Sequence, residues 1–225
     1  MSETRESRAV FYDVDGTLVS TNILYVFIHY TLRQPKLTDR FRRLLQVLLL
    51  SPAYLVAERF NRTLFNRIFY ANYRGMDYER LRLMGEEIAR DVLLPHLYHD
   101  ARGRIRRARE MGLKQVIVSG SLDFVLEPFA GELGIEHVIA NRLEFVNGKA
   151  TGKLAEPLVA QDNKRVLMEA FAREQGVDMG RSYAFSDSAS DIQMLASVGF
   201  PVAVNPDSSL ERKAREEGWA VSAFA

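Results

Sequence analysis

Short runs of β-branched and apolar residues alternate along this chain with stretches whose apolar positions recur every three or four residues. Ala9 to Tyr12, Gln115 to Val118, His137 to Ala140, Ser182 to Phe185 and Val202 to Val204 have the length and composition of buried strands. Between them, Ile105, Ala108 and Met111 share one helical face, as do Val166, Leu167, Ala170 and Phe171, and then Ile192, Leu195 and Ala196. Strand alternating with helix predicts an α/β fold, a doubly wound parallel sheet.

One interval breaks that rhythm. Roughly a hundred residues separate the first run from the second, whereas a crossover needs only a helix and two short loops. Over this interval the pattern is helical and rich in aromatics: Tyr25, Phe27, Phe41, Tyr54, Phe60, Phe65, Phe69 and Tyr73. The expectation is an all-helical cap domain at residues 19–95, inserted into an α/β core made of residues 1–18 and 96–225. A smaller irregularity follows, where Leu143 to Val146 and Ala150 to Lys153 flank Asn147-Gly148. Asn-Gly between such segments predicts a tight β-hairpin, read here as a flap near the active-site mouth.

Composition narrows the classes. With 225 residues, 47% hydrophobic and 26% charged, the chain is that of a soluble globular protein with room for one core and an appended domain. A net charge of +1 gives no general pull toward nucleic acid. No cysteine is present, which removes disulfides, thiolate metal sites and cysteine nucleophiles together. Met1 to Arg8 lack the apolar stretch of a secretion signal, so cytoplasmic residence is expected. The apolar segment Leu44 to Ala57 is shorter than the roughly 20 residues a spanning helix needs, and Pro52 is expected to interrupt it.

The candidate chemistry lies at the ends of the strands. The first delivers Asp13 and Asp15, followed by Gly16 and Thr17, at the sheet edge where open α/β sheets bind ligands. Taken alone, a turn with a helix cap explains these residues about as well. The second strand ends in Ser119-Gly120-Ser121, read as the start of a helix whose N–H groups suit a phosphate; a plain N-cap explains it too. A later strand delivers Asp187 and Asp191. Several acids converging on one point repel unless a cation neutralises them, and oxygen ligands of this charge suit Mg²⁺. Lys164 by itself reads as a solvated surface lysine.

Together, Asp13-Val14-Asp15-Gly16-Thr17, Ser119, Lys164 and Asp187 with Asp191 resemble the ordered signature of the haloacid dehalogenase superfamily. The helical insertion, Val118 to Leu122, the Asn147-Gly148 hairpin, Phe185 to Ser188 and Val202 to Asp207 resemble its phosphoserine phosphatase branch. This resemblance implies a phosphatase acting on a small phosphate ester. Asp13 would be the nucleophile and Asp15 the acid/base, while Ser119, Gly120 and Lys164 would hold the phosphate. Mg²⁺ would sit on Asp13, the Asp15 carbonyl and Asp187, with Asp191 and Thr17 behind those ligands. Dehalogenases of the superfamily lack a residue matching Asp15, so its presence favours phosphate esters.

Two departures bear on substrate. Asn22 stands where phosphoserine phosphatase carries a glutamate for the serine ammonium, and Ser190 stands where an asparagine is frequent; poor activity on phosphoserine is the expectation. In the cap, basic residues including Arg42, Arg43, Arg59, Arg62 and Arg67 outnumber acids, and Arg67 is a candidate specificity residue alongside Asn22. The four histidines show no metal-ligand spacing. Two other readings stay open: a non-catalytic phosphate-binding module, and a membrane-associated phosphatase for a lipid-like phosphate, suggested by Arg40 to Arg43 beside Leu44 to Leu50.

Overall fold

A computed structural model describes residues 7–33 and 36–225. The readings at residues 1–6 and at the side chains of Arg59 and Phe60 lie outside the described residues. Six parallel strands form the central sheet: β1 (Ala9–Tyr12), β2 (Lys114–Leu122), β3 (His137–Asn141), β6 (Tyr183–Ser186), β7 (Phe200–Val204) and β8 (Ala220–Ser222). Their order is β3-β2-β1-β6-β7-β8. The separate antiparallel pair β4 (Leu143–Val146) and β5 (Lys149–Leu154) forms the hairpin, with Asn147 at φ 49° and Gly148 at φ 73° in its turn. Positive φ at both central residues is what a two-residue turn of this hand requires.

Alternation along β1 sorts the core into two layers. Ala9 and Phe11 pack with Val116, Val118, Met168, Ala184, Leu195 and Leu210 on one face. This face is covered by α7 (Asp162–Gln175), α8 (Ile192–Ala196) and α9 (Ser208–Glu217). Val10 and Tyr12 point to the other face, with Ile117 and the helices α5 (His99–Glu110) and α6 (Asp123–Leu133). Side chains of period two on a strand buried on both faces produce this division directly.

Between β1 and β2 the chain forms α1 (Ile23–Leu32), α2 (Leu37–Phe60), α3 (Arg62–Tyr70) and α4 (Tyr78–Ile88). The aromatics read from the sequence are mostly core here. Phe27, Phe65, Phe69 and Tyr73 are buried, and their rings meet edge-on or stacked at centroid distances of 5.2 to 5.5 Å. Their cluster is continuous with the β1 face carrying Tyr12, so the insertion and the sheet share apolar packing.

Three expectations need correction. Pro52 does not interrupt the apolar segment: α2 runs through it. Proline removes the N–H that would bond the carbonyl four residues back, and the Ser51 hydroxyl donates to that same Leu48 carbonyl at 2.7 Å. The hairpin, read as a flap near the active-site mouth, contributes no residue to the lining of the cleft described below. It braces the α3–α4 connection, where Gly75 N–H donates to Ala150, Ala150 N–H to Met76, and Tyr78 N–H to Gly148. Finally, β2 continues through Ser119, Gly120 and Ser121 to Leu122, with a register shift against β3, and α6 begins only at Asp123. Ser119 and Gly120 therefore belong to an irregular strand end and not to a helix N-terminus.

Candidate active site

The strand order places the acids. The chain runs from β1 outward to β2 and β3, then returns to the opposite side of β1 as β6. The carboxyl ends of β1 and β6 thus lie side by side where the winding direction reverses, and such a switch point opens a crevice. Asp13 N–H donates to the Phe185 carbonyl at 3.0 Å, which brings Asp13 and Asp187 to one spot. Beyond Asp13 the chain turns tightly, with the Leu18 and Val19 N–H groups both donating to the Val14 carbonyl. Gly16 sits in this turn at φ 80°, and a β-carbon there would overlap the Asp187 carboxylate. Glycine is required both for the backbone and for the approach of the acid.

Lys164, in the first turn of α7, is buried. Its ammonium donates to Asp13 Oδ1 and Asp191 Oδ2, each at 2.7 Å. Asp191 Oδ2 also accepts from the Ser186 hydroxyl at 2.7 Å. The Thr17 hydroxyl lies 3.1 Å from Asp187 Oδ1 and 3.4 Å from Asp13 Oδ2, between the two carboxylates. Asp15 Oδ2 accepts from the Ser121 hydroxyl at 2.6 Å. A cleft of about 330 Å³ is lined by Asp13, Asp15, Ser119, Gly120, Lys164 and Asp187, among others.

Burial raises the acids. The Asp13 carboxyl is pushed up to about 7 by desolvation, reinforced by Asp191 and Asp187 and opposed by Lys164. Asp187 is pushed up to about 6, again chiefly by burial, with the Thr17 hydrogen bond opposing. Asp15 is raised by burial against the Ser121 hydrogen bond and the charges of Arg62 and Lys164. Burial pulls Lys164 down, but Asp13 and Asp191 outweigh it and hold the ammonium above the usual lysine range.

The third acid is accounted for by the lysine. Among the described residues no cluster of three acidic or imidazole side chains forms a metal cage. What remains is the Asp13 and Asp187 pair: the Lys164 ammonium bonds Asp13 and Asp191, while the partly buried Asp187 accepts from the Thr17 hydroxyl. Two hard oxygen ligands on an under-neutralised pair, with room in the cleft, fit a small divalent cation that keeps several waters.

Of the candidate specificity residues, Asn22 lines the cleft, and its side chain also caps α1 by accepting from Tyr25 N–H at 3.0 Å. Arg67 does not line it: its guanidinium lies 2.5 Å from Glu156, both side chains exposed. Arg62 lines it instead. Five residues apart on α3, the two point roughly 140° apart around the axis. A further residue escaped sequence reading. Asn66, one turn beyond Arg62, is 1% exposed, and neither amide atom has a hydrogen-bond partner. It abuts Gly120, where an added β-carbon would lie 3.3 Å from the Asn66 nitrogen. Its only signal in the sequence was its place four residues after Arg62 on a helix.

Comparison with known proteins places this arrangement. The model of the haloacid dehalogenase-like hydrolases matches residues 10–196. A Streptomyces azureus protein named for inhibition of morphological differentiation is 32% identical over 96% of this chain and 78% of its own length. A Mycobacterium tuberculosis protein named phosphoserine phosphatase is 30% identical over 93% of this chain, which spans 47% of that relative. A solved Bordetella pertussis protein of unknown function superposes with a TM-score of 0.80 at 25% identity, covering 96% of this chain and 98% of that one. The chain therefore belongs to the haloacid dehalogenase-like hydrolase family, in its phosphoserine phosphatase-like branch.

Proposed function

We propose that this chain is a Mg²⁺-dependent phosphomonoester hydrolase working through a phosphoaspartate, on a small phosphorylated metabolite other than phosphoserine. The observation carrying this reading is the buried Lys164 between Asp13 and Asp191, beside Asp187 and at the cleft. In the first step an Asp13 carboxylate oxygen bonds to phosphorus as the ester P–O bond breaks, and Asp15 gives its proton to the departing oxygen. In the second, Asp15 takes a proton from water, the water oxygen bonds to phosphorus, and the Asp13–phosphorus link breaks to release phosphate. A buried Asp15 with a raised pKa suits the acid role. Lys164 keeps Asp13 ionised for attack and neutralises phosphoryl oxygens, which the Ser119 hydroxyl and Gly120 N–H also hold. Asp13, Asp187 and the Asp15 carbonyl would hold Mg²⁺, whose charge supplies further neutralisation of those oxygens; Thr17 and Asp191 keep the carboxylates and Lys164 aligned. Residues 19–95 act as the cap over the core of residues 1–18 and 96–225.

The leaving-group side of the cleft supports the substrate reading. Asp13, Asp15, Asp187 and Asp191 are the only acids among the residues lining it, and Asn22 is neutral, so no spare carboxylate meets an ammonium. The test is turnover of a generic aryl phosphate and a panel of phosphorylated metabolites, with and without Mg²⁺. Asp13→Asn is expected to abolish turnover, and Asp15→Asn to accumulate protein-bound phosphoryl group detectable by intact mass. No turnover at any Mg²⁺ concentration, or full activity of Asp13→Asn, would sink the proposal.

A further inference from the structure

Helix α2 has an apolar face on each side. Inward, Val47, Tyr54 and Ala57 are buried against the shared core. Outward, Leu37, Phe41, Leu45, Leu48 and Leu49 are exposed by 75, 70, 41, 68 and 70%. At 100° per residue these five fall within an arc of roughly 120°, and exposed Pro52 falls in the same arc. They form one stripe along the helix where a surface helix normally carries polar residues. Single exposed leucines need no explanation, but a contiguous stripe marks a contact surface.

The charges beside the stripe indicate its partner. Residues 36–57 contain Lys36, Arg40, Arg42 and Arg43 against the single acid Asp39. On the same helical geometry exposed Arg42 falls about 20° outside one edge of the apolar arc and half-buried Arg40 about 60° outside the other, while Arg43 reaches inward to the Asn72 carbonyl at 2.8 Å. A second copy of the chain would bring stripe to stripe with both arginine rims facing like charge. An anionic bilayer instead accepts the leucines and Phe41 at the acyl boundary and meets the rims with phosphates. Among the described residues no helix is long and apolar enough to cross a membrane, so contact is confined to the surface.

We propose that the outer face of α2 docks this protein on an anionic lipid surface, the helix lying in the interface plane with Arg40 and Arg42 at the headgroups. This inference does not depend on the chemistry assigned to the cleft. The test is co-sedimentation of the full chain with vesicles of phosphatidylcholine alone and of phosphatidylcholine mixed with phosphatidylglycerol. Binding is expected to the mixed vesicles, to fall with salt, and to weaken at least about tenfold in Phe41→Glu/Leu48→Glu. Both substituted side chains are exposed, so the variant's thermal midpoint and aryl phosphate turnover should stay near those of the parent. The proposal is overturned if the chain ignores anionic vesicles, if the variant binds them equally, or if light scattering reveals a dimer that the variant dissolves.

Discussion

The Lys164 ammonium lies 2.7 Å from Asp13 although 151 residues separate the two, and both are buried. Removing one partner from a buried pair leaves an uncompensated charge and costs about 3–5 kcal/mol. Lys164→Met is therefore expected to lower the thermal midpoint by roughly 6–20 °C, at about 2–4 °C per kcal/mol for a chain of this size. Aryl phosphate turnover should fall at least about 100-fold. Lys164→Met/Asp191→Asn removes one of the two stranded charges, so it should recover part of the stability and none of the turnover. Calorimetry and steady-state kinetics check both; a stable, active Lys164→Met protein would contradict the pairing.

Gly16 gives a sharper test of the proposed cation site. Its φ of 80° and the proximity of the Asp187 carboxylate leave no room for a side chain. Gly16→Ala should displace Asp187 and raise the Mg²⁺ concentration for half-maximal activity by about tenfold or more, equivalent to about 1.4 kcal/mol. Titration of activity with Mg²⁺ measures this directly. An unchanged midpoint would separate Asp187 from the metal.

Asn66 allows stability and function to be separated. A buried amide without partners costs about 1–3 kcal/mol, and an apolar group of similar shape relieves that cost. If the amide serves the bound substrate beside Gly120, Asn66→Leu should unfold at an equal or higher temperature yet lose kcat/KM on its best substrate. Loss of stability with intact kinetics would make Asn66 a structural residue only.

The raised carboxyls set a pH dependence for metal binding. Asp187 at about 6 and Asp13 at about 7 hold protons more tightly in the folded than in the unfolded chain. Their contribution to stability is complete below about pH 4 and is lost as pH rises through those values. Mg²⁺ takes the place of the protons, so its stabilisation should be larger near pH 8 than near pH 5. At about a hundredfold excess over its dissociation constant it adds about 2.7 kcal/mol. Thermal shifts of chelator-treated protein at the two pH values test this, and equal shifts would contradict it.

Local chemistry was readable from the chain wherever a residue's role depends on its immediate neighbours. Four residues of β1 were bounded as read, because a strand buried on both faces must be apolar throughout. Asn147-Gly148 fixed its hairpin because only residues tolerant of positive φ close that turn. Asp13, Asp15 and Asp187 were placed by the rule that strand carboxyl ends face the ligand. The half-exposed edge strand β8 carried too short a pattern to be recognised.

Tertiary structure decided what depends on direction and on distant partners. It gave Lys164, whose local sequence reads as a surface lysine and whose role rested on the family resemblance alone, its place between two acids, and it chose Arg62 over Arg67 for the cleft, a matter of helical phase invisible to composition. It also extended β2 through Ser119 and Gly120 and carried α2 across Pro52 on a serine hydroxyl. The sequence specified which strand ends would bear acid and hydroxyl and which helix start the amine, since backbone periodicity and residue chemistry are local. Only the closing of the sheet at β1 and β6 could set those groups within hydrogen-bonding distance, because that contact joins residues far apart in the chain.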